Sequence, residues 1–191
     1  MFEEPPLSSE SAAGTPKSFS ATAAIPAQSR GPHIPAGLGG FNTAPTEWAE
    51  TSLLACCGSR RWARRLAAHR PYPTLDSLLA AADEASYDLS ARDLDEALAD
   101  EARPVLPASA PAAAHMALDA AHEAYRARFG HAFVICLHGH RSDEHLDQVL
   151  AGIRSRLGNE PDEERAIAAD ELRRLARARL FRLVADMDPR G

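Results

Sequence analysis

The stretch Phe133-Val-Ile-Cys-Leu137 is the one strongly β-favouring run between residues 41 and 186. Branched and aromatic side chains of this kind favour an extended backbone. A sheet needs further strands, and no second run of this composition is present to pair with the first. We therefore predict a single extended, buried segment that lies between helices.

Sequence blocks on both sides of this run have the period of amphipathic α-helices. Before it, apolar residues recur from Ala114 at offsets 0, 3, 4, 7, 10 and 11, and Gly130 ends the block. After it, the last block runs from about Asp162 to about Ala185. Other blocks follow residues that can cap a helix, namely Ser59, Thr74, Ser90 and Ser142. The predicted fold is all-α, an irregular bundle of about seven to eight short helices.

The N-terminal region differs in composition from these blocks. Residues 1–40 are rich in Ser, Ala, Pro, Gly and Thr, and their few apolar residues are too scattered to form a face. Such a segment cannot bury enough apolar surface to fold. We predict a disordered tail over residues 1–40 and one folded helical domain over residues 41–186.

Charge and cysteine usage exclude several classes of function. The 191 residues carry 21 Lys+Arg against 27 Asp+Glu, a net charge of -6, which does not favour nucleic acid or an anionic membrane as a partner. Lys17 is the only lysine, so catalysis through a lysine Schiff base is excluded. Three cysteines without a CxxC pair indicate neither a disulfide framework nor a metal pair, and no apolar run is long enough to span a membrane. We expect a cytoplasmic protein.

An arginine lies among the apolar residues of the last helix. Leu172, Leu175, Ala176, Arg179 and Leu183 fall on one helical stripe, at offsets 0, 3, 4, 7 and 11. A guanidinium there needs a partner, because an unpaired buried charge is costly. Two interpretations stay open: an internal ion pair or snorkelling arginine, and a clamp for a substrate carboxylate.

Five of the eight histidines fall into two groups. His138, His140 and His145 follow the extended run in a predicted loop, and no helical His-x-x-x-His pair with a carboxylate supports a metal site, so we predict an exposed loop and no metal. His115 and His122 lie seven residues apart on one face of the long helix. Either could act as a general acid or base near neutral pH, or be a structural histidine.

A series of short motifs is similar, in order and spacing, to the 2-oxo-4-hydroxy-4-carboxy-5-ureidoimidazoline (OHCU) decarboxylase family. The similarity extends from Phe41 to Val184 and rests on these motifs: Phe41-Asn42, Cys56-Cys-Gly-Ser-Arg-Arg-Trp62, Arg70-Pro-Tyr72, Tyr125-Arg-Ala-Arg-Phe-Gly-His131, Phe133-Val-Ile-Cys136, Arg156-Leu-Gly-Asn159, Glu171-Leu172 and Arg179-Leu180. The resemblance implies an all-helical, typically dimeric fold and a cofactor-free step of urate breakdown that yields (S)-allantoin. The expected partners are a small carboxylate and a second copy of the chain.

The same resemblance assigns roles to individual residues. It implies that Arg179 binds substrate and that Phe133, Val134, Ile135, Cys136 and Leu137 line the pocket. Pro104 aligns with the proline of the family's His-Pro-x-Ile-Gly motif, and Ser109 aligns with the serine of its Ser-x-x-Glu-Gln motif.

The sequence departs from the family where protons are handled. Arg103 stands at the family's histidine, Ala112-Ala113 stand at its Glu-Gln pair, and the stretch up to Tyr125 is shorter by roughly three helical turns. An arginine cannot shuttle protons. Glu101 (or Asp100), His115 or His122 are the candidates to replace the histidine. Alternatively, the protein binds a small carboxylate without turnover, or it is an interaction scaffold.

Overall fold

The computed structural model describes residues 37–99, 101–103 and 110–187. The predicted tail up to residue 36 lies outside the described residues. Within the described ranges the chain forms eight α-helices and no strand: α1 Gly37–Thr43, α2 Thr46–Cys56, α3 Arg60–Ala68, α4 Leu75–Tyr87, α5 Ala91–Ala99, α6 Ala112–Phe129, α7 His145–Arg156 and α8 Pro161–Asp186. The predicted all-α class is confirmed. None of the helices in these ranges has the length and hydropathy needed to cross a membrane.

Side chains cap three of the predicted helix starts. The Ser59 hydroxyl accepts a hydrogen bond from the Trp62 amide at the start of α3. Thr74 and Ser77 form a reciprocal capping box at α4. At α5, the Ser90 amide donates to the Asp93 carboxylate at 3.0 Å, and the Ser90 hydroxyl accepts from the Asp93 amide at 3.3 Å. Caps of this kind satisfy amides that have no partner inside the helix.

Two helix starts differ from the sequence prediction. The first described helix, α1, begins at Gly37, four residues before the predicted domain boundary, and the Gly37 amide donates to the carbonyl of Met187 at 2.8 Å. Helix α7 begins at His145 and not at Ser142. The preceding residues form a separate turn, in which the Glu144 amide donates to the Arg141 carbonyl at 3.0 Å. A local turn therefore replaces the expected serine cap.

Helix α8 lies against α1, α2 and α4 and supplies the centre of the main core. Leu172, Ala176 and Leu180 are buried along its inner face. Trp62 of α3 is fully buried, and its indole N–H donates to the Ala82 carbonyl at 3.0 Å. The N–H group of this large buried side chain is therefore hydrogen-bonded, as buried polar groups require.

A second, smaller core lies between α6 and α7. Its buried members are Leu118, Tyr125, Phe133, Val149 and Ile153. The segment Phe133–Leu137, which we call the wall segment, joins the two cores: Phe133 belongs to the smaller core and Val134 to the main one, while Ile135 packs again on the smaller one. Successive side chains on opposite sides are the mark of an extended chain. The prediction of an extended, buried segment is confirmed.

Candidate functional site

A cleft of about 490 Å³ opens where α8, the wall segment and residues 101–103 meet. Its apolar lining comes from the wall segment and from Leu175 and Ala178 of α8. Its polar lining comes from these residues: Glu101, Arg103, His138, His140, His145, Arg179 and Arg182. A mostly apolar concave surface with a few converging polar groups is the usual form of a small-molecule site.

Arg179 reaches this cleft as a partner of Glu101. The guanidinium donates from Nη1 to Glu101 Oε2 at 2.9 Å and from Nη2 to Glu101 Oε1 at 2.5 Å, and Nη1 also donates to the Cys56 carbonyl at 3.3 Å. The Glu101 side chain is 6% exposed, whereas the Arg179 side chain is 32% exposed. The structure thus shows Arg179 in an internal ion pair, as one of the two interpretations predicted, and the same side chain borders a cavity.

Local electrostatics keep this arginine charged and the nearby thiols neutral. The hydrogen bonds with Glu101 are the main cause that raises the pKa of Arg179 above its usual value. Burial raises the pKa of Cys56 and of Cys57 to about 11, although the Arg179 charge acts in the opposite direction. A thiolate is the nucleophilic form of cysteine, so these two residues are not nucleophiles near neutral pH.

Side chains hold the wall segment in place. Arg156 donates from Nη1 to the Val134 carbonyl at 2.8 Å, and Glu171 accepts from the Cys136 amide at 2.7 Å. Between these two residues, the backbone N–H and C=O of Ile135 make no hydrogen bond within residues 37–99, 101–103 and 110–187. Ile135 lines the cleft. A backbone donor and acceptor of the wall segment are thus left open beside the cavity.

A buried network fixes Arg156. Its Nε and Nη2 donate to Glu164 Oε1 at 2.8 and 2.5 Å, and Asn159 donates to Glu164 Oε2 at 2.9 Å. The Tyr125 hydroxyl also donates to Glu164. Burial and this hydrogen bond raise the pKa of Tyr125, which stays protonated. The guanidinium stacks on the Phe133 ring, 4.6 Å from its centroid. The network joins α6, α7 and α8 to the wall segment.

Three histidines line the cleft, although the sequence predicted only an exposed loop for them. His138 and His140 are exposed, and His145 is half-buried at the start of α7, where its Nε2 lies 3.2 Å from the His140 carbonyl. The sequence offered a signal for these histidines, since His138 directly follows the predicted wall segment and the other two come within eight residues of its end. No group of three or more His, Cys, Asp or Glu side chains in the part of the chain that the structure describes could hold a metal.

The other predicted site residues lie in different places. His115 and His122 do not line the cleft; His122 is buried in α6 with its ring 6.3 Å from the ring of Phe133. Cys136 borders a neighbouring hollow with Phe181, because alternate side chains of an extended segment face opposite sides. Pro104, Ser109 and Asp100 lie outside the described residues.

Comparison with known proteins identifies the family. Residues 42–104 and 99–181 match the sequence model described as OHCU decarboxylase. The chain belongs to the OHCU decarboxylase family. The two matched stretches overlap at residues 99–104, where the sequence analysis placed the departure from the family pattern. No relative matches by sequence among the curated proteins.

Solved structures of similar fold agree with this family. A crystal structure of OHCU decarboxylase in the presence of (S)-allantoin superposes with a TM-score of 0.61 at 24% identity, covering 75% of this chain and 100% of that one. A crystal structure of (S)-allantoin synthase gives a TM-score of 0.63 at 19% identity, covering 78% of this chain and 54% of that one. At these identities the likeness concerns the OHCU decarboxylase fold.

Proposed function

We propose that the cleft binds a small heterocyclic carboxylate of the ureidoimidazoline class and promotes its decarboxylation, a cofactor-free step of urate breakdown that leads to (S)-allantoin. The observation that carries this proposal is the placement of Arg179 at the cleft, beside the open edge of the wall segment. Membership of the OHCU decarboxylase family supports it.

Arg179 retains one edge that fits a carboxylate. Both Nη1 hydrogens and one Nη2 hydrogen are used by Glu101 and the Cys56 carbonyl. The second Nη2 hydrogen and the Nε hydrogen lie along the same edge of the planar guanidinium, and neither is hydrogen-bonded within the described residues. Two parallel N–H groups at this spacing match the two oxygens of a carboxylate. The substrate carboxylate binds at this edge.

The wall segment supplies the complementary contacts for a ring. The open N–H and C=O of Ile135 fit the acceptor and donor of a cyclic amide or ureido group. The apolar lining from Phe133, Leu175 and Ala178 excludes water around the ring. Loss of carbon dioxide needs the substrate oriented and shielded from water more than it needs covalent help from the protein.

A proton must replace the departing carboxyl group. His138, His140 and His145 are the cleft residues whose imidazole side chains can act as general acids. Glu101 also lines the cleft, but its carboxylate is bound to Arg179. We therefore propose the three histidines, ahead of His115 and His122, as the source of the proton.

The proposal is tested by giving freshly generated substrate to the purified full chain and following (S)-allantoin by circular dichroism. Enantioselective formation above the buffer rate is expected, together with a clear loss of rate in Arg179→Gln. Matched Arg165→Gln, a change on α8 at a side chain that pairs with Asp95 and does not line the cleft, keeps the wild-type rate. A wild-type rate equal to that of buffer would contradict the decarboxylase function.

A second function, carboxylate binding without turnover, is favoured by a specific observation. Arg103 aligns with the family's histidine, and its Nη1 lies 3.8 Å from Asp119 Oδ1. A guanidinium does not transfer protons as an imidazole does. Saturable binding without allantoin formation, lost in Arg179→Ala, identifies this function. If neither binding nor turnover is seen, the remaining function is that of a scaffold, in which the helical domain binds another protein.

We also propose that the chain forms a homodimer, as the family resemblance implies. Among the described residues, the large hydrophobic side chains of Tyr87, Met116 and Phe181 stay exposed in the single chain, and a second copy would cover any of them that lies in its interface. Light scattering is expected to give twice the chain mass of 20.5 kDa. A mass of one chain at micromolar concentration contradicts this.

A further inference from the structure

The wall segment poses a physical problem that helices do not. An extended stretch outside a sheet has no neighbouring strand, yet its buried backbone groups need hydrogen-bond partners. Val134 is buried and Cys136 is half-buried. Something other than a strand must hold these two residues in place.

We propose that Arg156 and Glu171 are positioning residues that take the place of the missing strand. Arg156 donates to the Val134 carbonyl at 2.8 Å, and Glu171 accepts from the Cys136 amide at 2.7 Å. In an extended chain these two groups, on either side of one residue, point to the same edge. A residue of a parallel neighbouring strand would donate to the first and accept from the second in the same way.

Both side chains are fixed by further contacts. Arg156 is 10% exposed and is held through Nε and Nη2 by Glu164, whose side chain is fully buried. Glu171 is 16% exposed, and its other oxygen accepts from Arg174 at 3.1 Å. A pair of anchored charged groups can therefore define one edge of the segment about as firmly as a strand would.

The consequence for the cleft concerns Ile135. With one edge bonded to Arg156 and Glu171, the backbone N–H and C=O of Ile135 point to the opposite edge and remain open. This step rests on the proposed function, since it assigns that open edge to the ring of the ligand. Arg156 and Glu171 do not line the cleft, so they act on the ligand only through the wall segment.

Hydrogen exchange of the full chain tests the positioning role without any ligand. In Glu171→Ala, exchange of the Cys136 amide is expected to accelerate at least about tenfold, because a charge-assisted hydrogen bond is lost. Glu171→Gln, which keeps a carbonyl acceptor, restores part of the protection. The matched control is Asp170→Asn on the same helix, whose carboxylate binds Arg173 and Arg174 and not the wall segment. Exchange in α8 stays as in wild type.

A ligand titration separates this inference from the proposed function. Glu171→Ala is expected to weaken binding of (S)-allantoin at least fivefold, and Asp170→Asn to leave it unchanged. Unchanged Cys136 exchange in Glu171→Ala would overturn the positioning role even if the wild type binds. Accelerated exchange together with no binding by the wild type would support the positioning role and contradict the proposed function. Arg156→Lys, compared with exposed Arg154→Lys on the same helix, repeats the test from the other anchor.

Discussion

Two arginine–glutamate pairs of this protein share a closest distance of 2.5 Å but have different surroundings. The pair of Arg156 and Glu164 is buried, and all three nitrogens of its guanidinium donate to protein atoms. The pair of Arg179 and Glu101 borders a cleft and leaves the Nε edge of its guanidinium open within the described residues. Distance alone does not separate a structural arginine from a binding one. The two guanidinium groups differ in how many of their N–H donors are already hydrogen-bonded to the protein and in how exposed the side chain is.

The largest expected effect comes from breaking the buried pair. Glu164→Gln leaves the charge of Arg156 uncompensated in the interior, so we expect the free energy of unfolding to fall by roughly 3–5 kcal/mol. Urea unfolding measures this loss. Asp95→Asn, which breaks the exposed pair with Arg165, is the control and changes the same quantity by less than about 1 kcal/mol. Similar losses in the two variants would contradict the structural role of Arg156 and Glu164.

Breaking the cleft pair has its main effect on the ligand. Arg179→Gln is expected to lower the affinity for a small carboxylate ligand roughly 10- to 100-fold, since hydrogen bonds to a charged group are lost. Its effect on the free energy of unfolding is smaller than that of Glu164→Gln, because the Arg179 side chain is 32% exposed and both members of the pair line an open cleft, whereas Glu164 is fully buried. Calorimetric titration and urea unfolding of the same variant measure both. A variant that loses stability but not affinity would make Arg179 the structural arginine.

A smaller effect is expected where α7 touches the wall segment. A methyl group added at Gly152 would lie 3.0 Å from Phe133 Cζ and 3.4 Å from Ile135 Cδ1. Phe133 is fully buried and has no room to give way, so Gly152→Ala displaces the wall segment, and the free energy of unfolding falls by about 1 kcal/mol after the helix propensity that alanine gains over glycine is included. Gly158→Ala, where an added Cβ meets nothing within 4 Å, is the matched control and stays within about 0.5 kcal/mol. An unaffected Gly152→Ala would mean that the wall segment is free to move.

The last effect concerns pH and the buried thiols of Cys56 and Cys57. The pKa values of Cys56 and Cys57 rise to about 11 from the ordinary 9.0 because the side chains are buried. Below pH 9 both states hold their protons; between pH 9 and 11 only the unfolded state loses them, so stability falls as pH rises. Urea midpoints at pH 8 and pH 10 measure this, and the difference shrinks in Cys57→Ala. At pH 8 the folded chain should react with a thiol reagent at Cys136 only, and labelling of all three cysteines would contradict the burial.

The sequence predicted those parts of the molecule that depend on local patterns. The caps at Ser59, Thr74 and Ser90 and the isolated wall segment follow from nearest neighbours along the chain. The pairing of Arg179 with Glu101 joins residues 78 positions apart, so the helical stripe showed that a partner was needed but not which acid. Likewise, the sequence predicted that His115 and His122 share one helical face, but not which part of the chain packs on that face. The alternation that turns Cys136 away from the cleft was predictable from the extended form.

We propose that one cleft, bounded by Arg179 and the open edge of Ile135, holds the ligand. The most direct measurement is an amide NMR titration of the full chain with (S)-allantoin. We predict saturable shifts that are largest at Ile135, extend over residues 133–138, and weaken in Glu171→Ala but not in Asp170→Asn. No saturable shift, or shifts confined to helices away from the cleft, would contradict the account.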